Sequence, residues 1–186
     1  MAWLLPVGTP GGIISGFEGI PAGSGIVRLG AQLIHADLAT YRLWRAAAAA
    51  ADRKQLVAWG EAKGITEAEE RIEALKEDGM IIEQKPDLPS PVGTLAVRLI
   101  GECLGNGGSP GQQFTVIGRS NTRLLVDAYL FEILLRSDGV SRVAALCDLL
   151  DGLRPEAGHR PCLDSLTEGM PMLVRNEVVI LDGPLR

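Results

Sequence analysis

The side chains that could do chemistry are few and lie far apart. The chain has two histidines, His35 and His159, and three cysteines, Cys103, Cys147 and Cys162. His159 and Cys162 stand at i and i+3, but a zinc site needs three or four ligands, and no second pair of this kind follows. Nucleophilic catalysis needs a base beside a Ser or Cys, and no G-x-S-x-G elbow occurs. The sequence therefore predicts no metal site, no cofactor and no enzyme activity.

Two glycine-rich stretches could at first be taken for phosphate-binding loops. Residues 105–111 (GNGGSPG) match neither G-x-x-x-x-G-K-[ST] nor G-x-G-x-x-G, because a proline replaces the last glycine and no lysine follows. They also precede a predicted strand, whereas phosphate loops open helices whose N–H groups bind the anion. We interpret this stretch, and residues 8–12, as hairpin connections.

The composition is that of a soluble globular protein. Of 186 residues, 46% are apolar and 22% charged, and the formal net charge is −5, which excludes a basic nucleic-acid coat and a disordered acidic tail. No apolar run is long enough for a transmembrane helix, and the start lacks the basic opening of a secretory signal. With few cysteines, this predicts a cytoplasmic protein. The alanine run 46–51 and the preference for arginine over lysine after residue 93 indicate a GC-rich bacterial genome.

The chain contains an internal repeat with an offset near 90 residues, about half its length. Asp37–Arg45 leads to a second helical stretch and then to Glu77–Met80, and Asp127–Leu135 leads in the same way to Thr167–Met170. Repeats of this kind indicate a duplicated structural unit. A proline-rich segment at 86–91 interrupts regular structure. We therefore predict two units, residues 1–88 and 89–186.

Each unit has the same predicted order of elements. Short strands at 24–30 and 113–118 belong to Gly/Pro-rich β regions. Three helices then follow, at about 31–50, 52–63 and 66–78 in the first unit, and at about 121–137, 141–151 and 155–168 in the second. Asp52 and Ser141 are the predicted N-caps of the second helices, and Thr66 with Glu69 has the spacing of a capping box. Gly79 and Gly169 are the predicted helix stops.

Apolar strands follow the third helix of each unit. Residues 80–83 are predicted to pair with 94–100, and residues 172–174 with 177–181 through a tight turn at Arg175–Asn176. Three short helices followed by a hairpin form the winged-helix arrangement. The predicted fold class is therefore α+β: two tandem winged-helix-like units, each with a short β region, three helices and a β-hairpin wing.

Three segments carry a family resemblance: Gly25–Leu29, Tyr41–Trp44 and Leu75–Ile81. On these the chain resembles the winged-helix superfamily in general, and the small PqqD-like peptide-recognition domains in particular. The resemblance covers most of each unit. It implies that the protein binds a peptide as an added strand.

The charges suggest where a partner would bind. Over residues 61–78, three basic residues stand against seven acidic ones, a local charge of −4 that would repel DNA. We expect Glu69, Glu70 and Glu73 to face a basic protein or peptide, Trp3 to anchor it, and an apolar β edge to allow a homodimer. The predicted function is a non-catalytic interaction module, either an assembly adaptor or an accessory protein.

Two other classes stay open. A transcriptional regulator would bind DNA through the second unit, using Arg119, Arg123, Arg154, His159, Arg160 and Arg175. A contiguous arginine patch on the folded surface would favour that function. An enzyme would need a cofactor pocket that no motif reveals.

Overall fold

A computed structural model describes residues 2–16, 19–85, 87–106, 113–153 and 162–183. The chain is α+β and divides into two compact units, Met1–Leu88 (unit 1) and Pro89–Leu185 (unit 2). None of the helices in the described ranges is long and apolar enough to cross a membrane.

Unit 1 has four strands, three helices and a closing strand. Their bounds are β1 (Trp3–Pro6), β2 (Thr9–Ile13), β3 (Gly25–Leu29), β4 (Gln32–Ala36), α1 (Leu38–Ala46), α2 (Arg53–Ala62), α3 (Ala68–Glu77) and β5 (Ile81–Gln84). The strands form two antiparallel sheets: β1 pairs with β5, and β2, β3 and β4 form a meander in that order.

Unit 2 repeats this order with two additions, a short 3-10 helix at Pro91–Thr94 and one extra strand. Its elements are β6 (Ala96–Leu99), β7 (Glu102–Asn106), β8 (Phe114–Ile117), β9 (Arg123–Val126), α4 (Ala128–Arg136), β10 (Asp138–Arg142), α5 (Val143–Leu153), α6 (Cys162–Arg175) and β11 (Val179–Asp182). The first strand again pairs with the last, β6 with β11, and β7, β8 and β9 form the meander. The extra strand, β10, pairs with the other side of β6.

The repeat extends to single hydrogen bonds and register shifts. Asp37 and Asp127 both cap their helices, each accepting from the N–H three residues later, at 2.9 and 2.8 Å. Both meanders shift register at the same place, between residues 10 and 12 and between residues 103 and 105. Gly8 and Gly101 both lie against a carbonyl of the middle strand, so neither position has room for a Cβ. The two units are therefore two copies of one structural plan.

The core of unit 1 forms where the helices pack on the inner faces of the strands. Its fully buried side chains come from every layer, among them Leu4, Val27, Leu43, Leu56 and Ile72. Trp44 lies in this core at 2% exposure. Its indole Nε1–H donates to the carbonyls of Val7 and Met80, at 3.0 and 3.1 Å. One side chain thus ties α1 to the segments that flank the β1–β5 pair.

Several local predictions are confirmed. The predicted strands match β3 and β8, and Asp52 caps α2 by accepting from the Gln55 N–H at 2.9 Å. The stripe of Ala68, Ile72 and Leu75 on α3 is buried. Gly79 takes a left-handed conformation after α3, with φ of 70°.

Other local predictions are wrong. The first helices begin at Leu38 and Ala128, because β4 and β9 occupy the segments predicted as their first turns. Thr66 and Glu69 form no capping box: residue Glu67 is the N-cap, is left-handed, and makes no side-chain cap bond. Ser141 is not the N-cap of α5, because it lies in β10. Helix α5 begins at Val143, whose N–H donates to the Leu95 carbonyl at 2.8 Å. The first half of the helix predicted at 155–168, residues 155–161, lies outside the described residues.

The predicted wings do not form. Strand β5 pairs with β1 and not with residues 94–100, and residues 172–174 belong to helix α6. Gly169 lies inside α6 and is not a helix stop. The equivalent of Met80 is Val178, since each donates its N–H to a leucine carbonyl five residues earlier, both at 2.9 Å. The strand that follows the third helix closes its own unit in each case.

Candidate ligand-binding surfaces of unit 1

The first candidate surface is the open edge of β4. Within the described part of the chain, β4 pairs with β3 alone and leaves its other side unpaired. Strands β3 and β4 are joined by a two-residue turn at Gly30–Ala31, and Leu29 pairs with Gln32 next to it. An unpaired strand edge offers a row of backbone N–H and C=O groups to another strand.

An apolar hollow lies beside this edge, on the outer face of the meander. Its volume is about 590 Å³. Ile26 and His35 are cross-strand partners, and Leu33, two residues before His35, is on the same face at 63% exposure. The β2–β3 connection completes the hollow with Ile14 and Ile20. We call the β4 edge and this hollow the edge surface.

The second candidate surface is a groove between α1 and α2, with an open volume of about 790 Å³. On one side Arg42 and Arg45 stand one helical turn apart on α1. On the other side Gln55, Trp59 and Lys63 follow at intervals of four residues along α2. The groove is completed by small alanines and by two further side chains: Ile13, Tyr41, Ala46, Ala49 and Ala50.

The groove is apolar inside and cationic at its rim. Arg42, Arg45 and Lys63 are exposed, and none of the described residues that line the groove is acidic. No ion pair among the described residues involves any of these three cations. We call this set of residues the cationic groove.

Among its described residues, unit 2 does not repeat the basic side chains of the cationic groove. By the shared register, Arg42 corresponds to Glu132 and Arg45 to Leu135. Glu132 pairs with Arg136 one turn later, at 3.3 Å. Helix α5, in the position of α2, contains no basic residue. The basic character of the groove is therefore a property of the unit 1 sequence and not of the fold.

The acidic residues predicted to bind a partner are largely occupied within unit 1. Glu69 pairs with Arg53 at 3.1 Å, and Glu73 contacts both Arg53 and Lys76. The carboxylate of Glu83 accepts from Lys76 at 2.8 Å, and with the Glu73 contact this hydrogen bond raises the pKa of Lys76. Glu70 is exposed and makes none of the ion pairs found among the described residues.

Trp3 is not a surface anchor. It lies in β1 opposite Gln84 and is only 4% exposed. The prediction was wrong because the strand that contains Trp3 is buried at three of its four positions. A partner can reach this indole only if β1 leaves its pair.

The residues of the DNA-binding alternative are only partly described. Arg119, Arg123 and Arg175 are exposed in unit 2. The backbone N–H of Arg119 donates to the Glu177 carbonyl at 3.1 Å. The other three, Arg154, His159 and Arg160, lie outside the described residues. A contiguous arginine patch therefore stays a prediction.

The cysteines of unit 2 are fully or partly buried. Cys147 and Cys162 are buried, and a hydrogen bond between them together with burial raises the pKa of the Cys147 thiol far above its ordinary value. Burial also raises the pKa of Cys103. A protonated thiol does not attack. Among the described residues, no three of His, Cys, Asp and Glu are grouped as metal ligands would be.

Comparison with known proteins adds no assignment. No protein-family model, no curated protein and no solved structure matches this chain. The two surfaces of unit 1 are therefore interpreted from their own chemistry.

The sequence itself contains signals for the cationic groove. Gln55, Trp59 and Lys63 repeat every four residues, which places them on one face of a helix. The run Ala46–Ala51 puts side chains of minimal volume beside that face, and Arg42 and Arg45 precede it. Small residues next to a stripe with an aromatic and a cation indicate a groove rather than a filled core.

Proposed function

We propose that this protein is a non-catalytic peptide-binding module, and that unit 1 binds an extended segment of a partner protein as a fourth strand on β4. The observation that best supports this proposal is the edge surface, in which an unpaired strand edge adjoins an apolar hollow. In strand addition, main-chain hydrogen bonds supply affinity and pockets for alternate side chains supply specificity.

The register gives this proposal its geometry. Backbone groups in an antiparallel pair point alternately toward the partner strand and away from it. Leu29 and Gln32 close a two-residue turn, so the backbone groups of Leu33 and His35 point outward from the meander. Both side chains lie on the outer face beside Ile26. An added strand would therefore place every second side chain over the hollow.

The proposed function fits the family resemblance in the sequence. We propose that each unit is a variant of the PqqD-like plan, in which a three-stranded meander precedes three helices, without the predicted β-hairpin wing. The difference is the added pair of first and last strands, β1 with β5 and β6 with β11. That pair leaves the β4 edge open.

The test is selection of binding peptides from a phage-displayed library of random dodecapeptides, followed by fluorescence anisotropy of the best labelled peptide. We expect selected peptides to alternate apolar and polar residues. Leu33→Glu should weaken binding about tenfold, because it places a charge beside the hollow. Leu88→Glu changes a leucine of similar exposure, 58% against 63%, away from the edge, and is the matched control.

Synthetic variants of the selected peptide separate strand addition from other modes. N-methylation at alternate residues in one register removes the N–H groups that face β4, and should abolish binding. N-methylation in the other register should change it little. Equal effects in both registers, or a set of enriched peptides with helical periodicity, would refute the proposal.

The same anisotropy assay covers the DNA-binding alternative. The probe is a labelled random-sequence duplex at about 50 and 200 mM salt, between which binding through several phosphates weakens by orders of magnitude. Such a steep loss would replace peptide binding with the regulator function.

A further inference from the structure

We infer that the cationic groove is a second, separate binding site, and that its ligand is an acidic segment of a partner protein with a bulky apolar residue among its carboxylates. This goes beyond the proposed function. The groove contains no residue of β4, and the edge surface contains no residue of α1 or α2.

The charges determine the sign of the ligand. Arg42, Arg45 and Lys63 concentrate three positive charges around one opening, on a chain whose formal net charge is −5. Most other basic residues of the neighbouring helices are used within the unit: Arg53 pairs with Glu69 and Glu73, Arg71 with Asp37, and Lys76 with Glu73 and Glu83. Lys54 on α2 makes none of the ion pairs found among the described residues, but it lies outside the groove. Arg42, Arg45 and Lys63 have no carboxylate partner among the described residues, and such cations favour a ligand that carries carboxylates.

The apolar interior of the groove indicates that the ligand also carries a bulky apolar side chain. Trp59 is half-buried, and the alanines beside it leave space that a larger residue would fill. Aromatic side chains and arginine are the residue types enriched in the energetically important centres of interfaces. An aromatic or large aliphatic side chain fits the apolar space, and flanking Asp or Glu residues reach the rim.

The shape favours a protein segment over a small molecule. Sites for small molecules enclose most of the ligand surface and place a few polar groups inside. Here all three cations are exposed, and the groove runs open between two helices. Nucleic acid is disfavoured, because three cations neutralise few phosphates and the adjacent helix α3 has four acidic residues against two basic ones.

The comparison between units supplies the variants. Arg42→Glu and Arg45→Leu give unit 1 the residues that unit 2 carries at the same positions, Glu132 and Leu135. Both arginines are exposed on α1, so these changes should leave the fold intact. Lys85→Glu makes the same charge change as Arg42→Glu at an exposed site outside the groove, and serves as the matched control.

The experiment measures anisotropy of a fluorescein-labelled dodecapeptide of Asp and Glu with a central Phe-Leu pair. Two matched peptides replace Asp and Glu by Asn and Gln, or Phe-Leu by Ser-Ser. We expect the parent peptide to bind at least about tenfold more tightly than either, and Arg42→Glu to weaken it about tenfold. Lys85→Glu should change the affinity less than about twofold.

Three results would overturn the inference. The first is no binding of the parent peptide up to about 1 mM. The second is equal weakening by Arg42→Glu and Lys85→Glu, which would indicate only the overall field of the chain. The third is displacement of the peptide by a random-sequence DNA duplex at lower concentration than unlabelled peptide, which would assign the cations to phosphates.

The two proposals can fail separately. Leu33→Glu tests the edge surface and leaves the acidic peptide bound if the groove is independent. Arg42→Glu tests the groove and leaves the selected strand peptide bound. Ile13 borders both surfaces and is therefore not used in either test.

Discussion

In unit 1 the ring of Tyr41 lies over Gly25, whereas unit 2 has Phe131 and Phe114 at the equivalent positions. The two phenylalanine rings stack with centroids 4.4 Å apart and planes 15° apart. In unit 1 the partner of Tyr41 is instead Trp44, at 5.6 Å. The same space between meander and first helix is thus filled in two ways. The fold fixes the space, and the residue pair decides which side chain fills it.

Thr40 in unit 1 and Leu130 in unit 2 are a second pair of equivalent positions at which the two units use different side chains. Thr40 on α1 accepts from Arg71 on α3 at 2.6 Å, and Arg71 also binds Asp37. In unit 2 the residue in the place of Thr40 is Leu130, and it packs so closely on Gly169 that a Cβ there would touch its methyl groups. Unit 1 is polar and charged where unit 2 is apolar.

The largest expected loss of stability comes from adding a side chain at Gly25, where the Tyr41 ring fills the space. In Gly25→Ala the new Cβ would overlap the Tyr41 ring, which is held in the core at 5% exposure. Overpacking of this kind costs about 3 kcal/mol. Because Trp3, Trp44 and Trp59 all lie in unit 1, urea denaturation followed by tryptophan fluorescence reports the stability of that unit.

Gly152→Ala is the control for the alanine substitution itself, and because Gly152 lies in unit 2 its stability is followed by circular dichroism rather than by tryptophan fluorescence. Gly152 lies in α5 with open space where its Cβ would stand, so alanine should leave the protein as stable or slightly more stable. A change below about 0.5 kcal/mol for Gly25→Ala would show that the ring moves freely, and that unit 1 could accommodate the arrangement of unit 2.

A smaller loss of stability is expected when Trp44 is replaced by leucine, the residue that unit 2 has at the equivalent position. Trp44→Leu places leucine where unit 2 has Leu134 and removes both indole hydrogen bonds. It should cost about 2–3 kcal/mol from lost volume and from the carbonyl of Val7 left without its donor. Chemical denaturation followed by circular dichroism measures it.

Trp44→Phe separates the two contributions. It keeps a ring but no donor, so a cost near that of leucine assigns the effect to the hydrogen bonds. Wild-type stability in both variants would mean that the indole is not needed to hold the β1–β5 pair.

The smallest effect is expected at Asp138, in the strand that unit 1 lacks. Its carboxylate accepts from the backbone and hydroxyl of Ser141 and from the Val140 N–H, which lowers the pKa of Asp138 to about 2. A lowered folded-state pKa stabilises the protein above the unfolded value near 3.8, and this stability is lost as the pH falls toward 2. Asp138→Asn should cost under about 1 kcal/mol at pH 7, because the group is exposed.

The pH profile provides the check on Asp138. The stability difference between wild type and Asp138→Asn should shrink between about pH 4 and pH 2, as measured by thermal denaturation. A difference that stays constant over that interval would show that the hydrogen bonds do not depend on the charge.

Local signals predicted much of the fold. Asp52, the stripe on α3 and the central strands β3 and β8 depend on neighbours within a few residues, and each was predicted correctly. The pairing of β1 with β5 depends on residues some 80 positions apart, and no local pattern encodes it. The predicted wings failed for that reason. In unit 2, eight more residues precede the end of the third helix, so aligning Gly79 with Gly169 gave the wrong helix end.

The candidate sites were less accessible from sequence. Charge counting identified the acidic helix α3 correctly but did not show that Arg53 and Lys76 already pair with its carboxylates. Arg42, Arg45 and Lys63 come from two helices, and only their packing shows that they surround one groove. Ion-pair partners and the walls of a groove depend on tertiary structure, so local sequence patterns do not predict them.

The pairing of first and last strands also sets an order of events during synthesis. Strand β1 leaves the ribosome before the other strands and the helices of unit 1, whereas its partner β5 is the final element of unit 1 to be made. The meander and α1 can form while the chain is still growing, because their contacts are local. The apolar face of β1 stays without its partner until residue 84 has emerged. Each unit therefore completes in a single late step, and a chain stalled before β5 exposes a strand ready to pair with another.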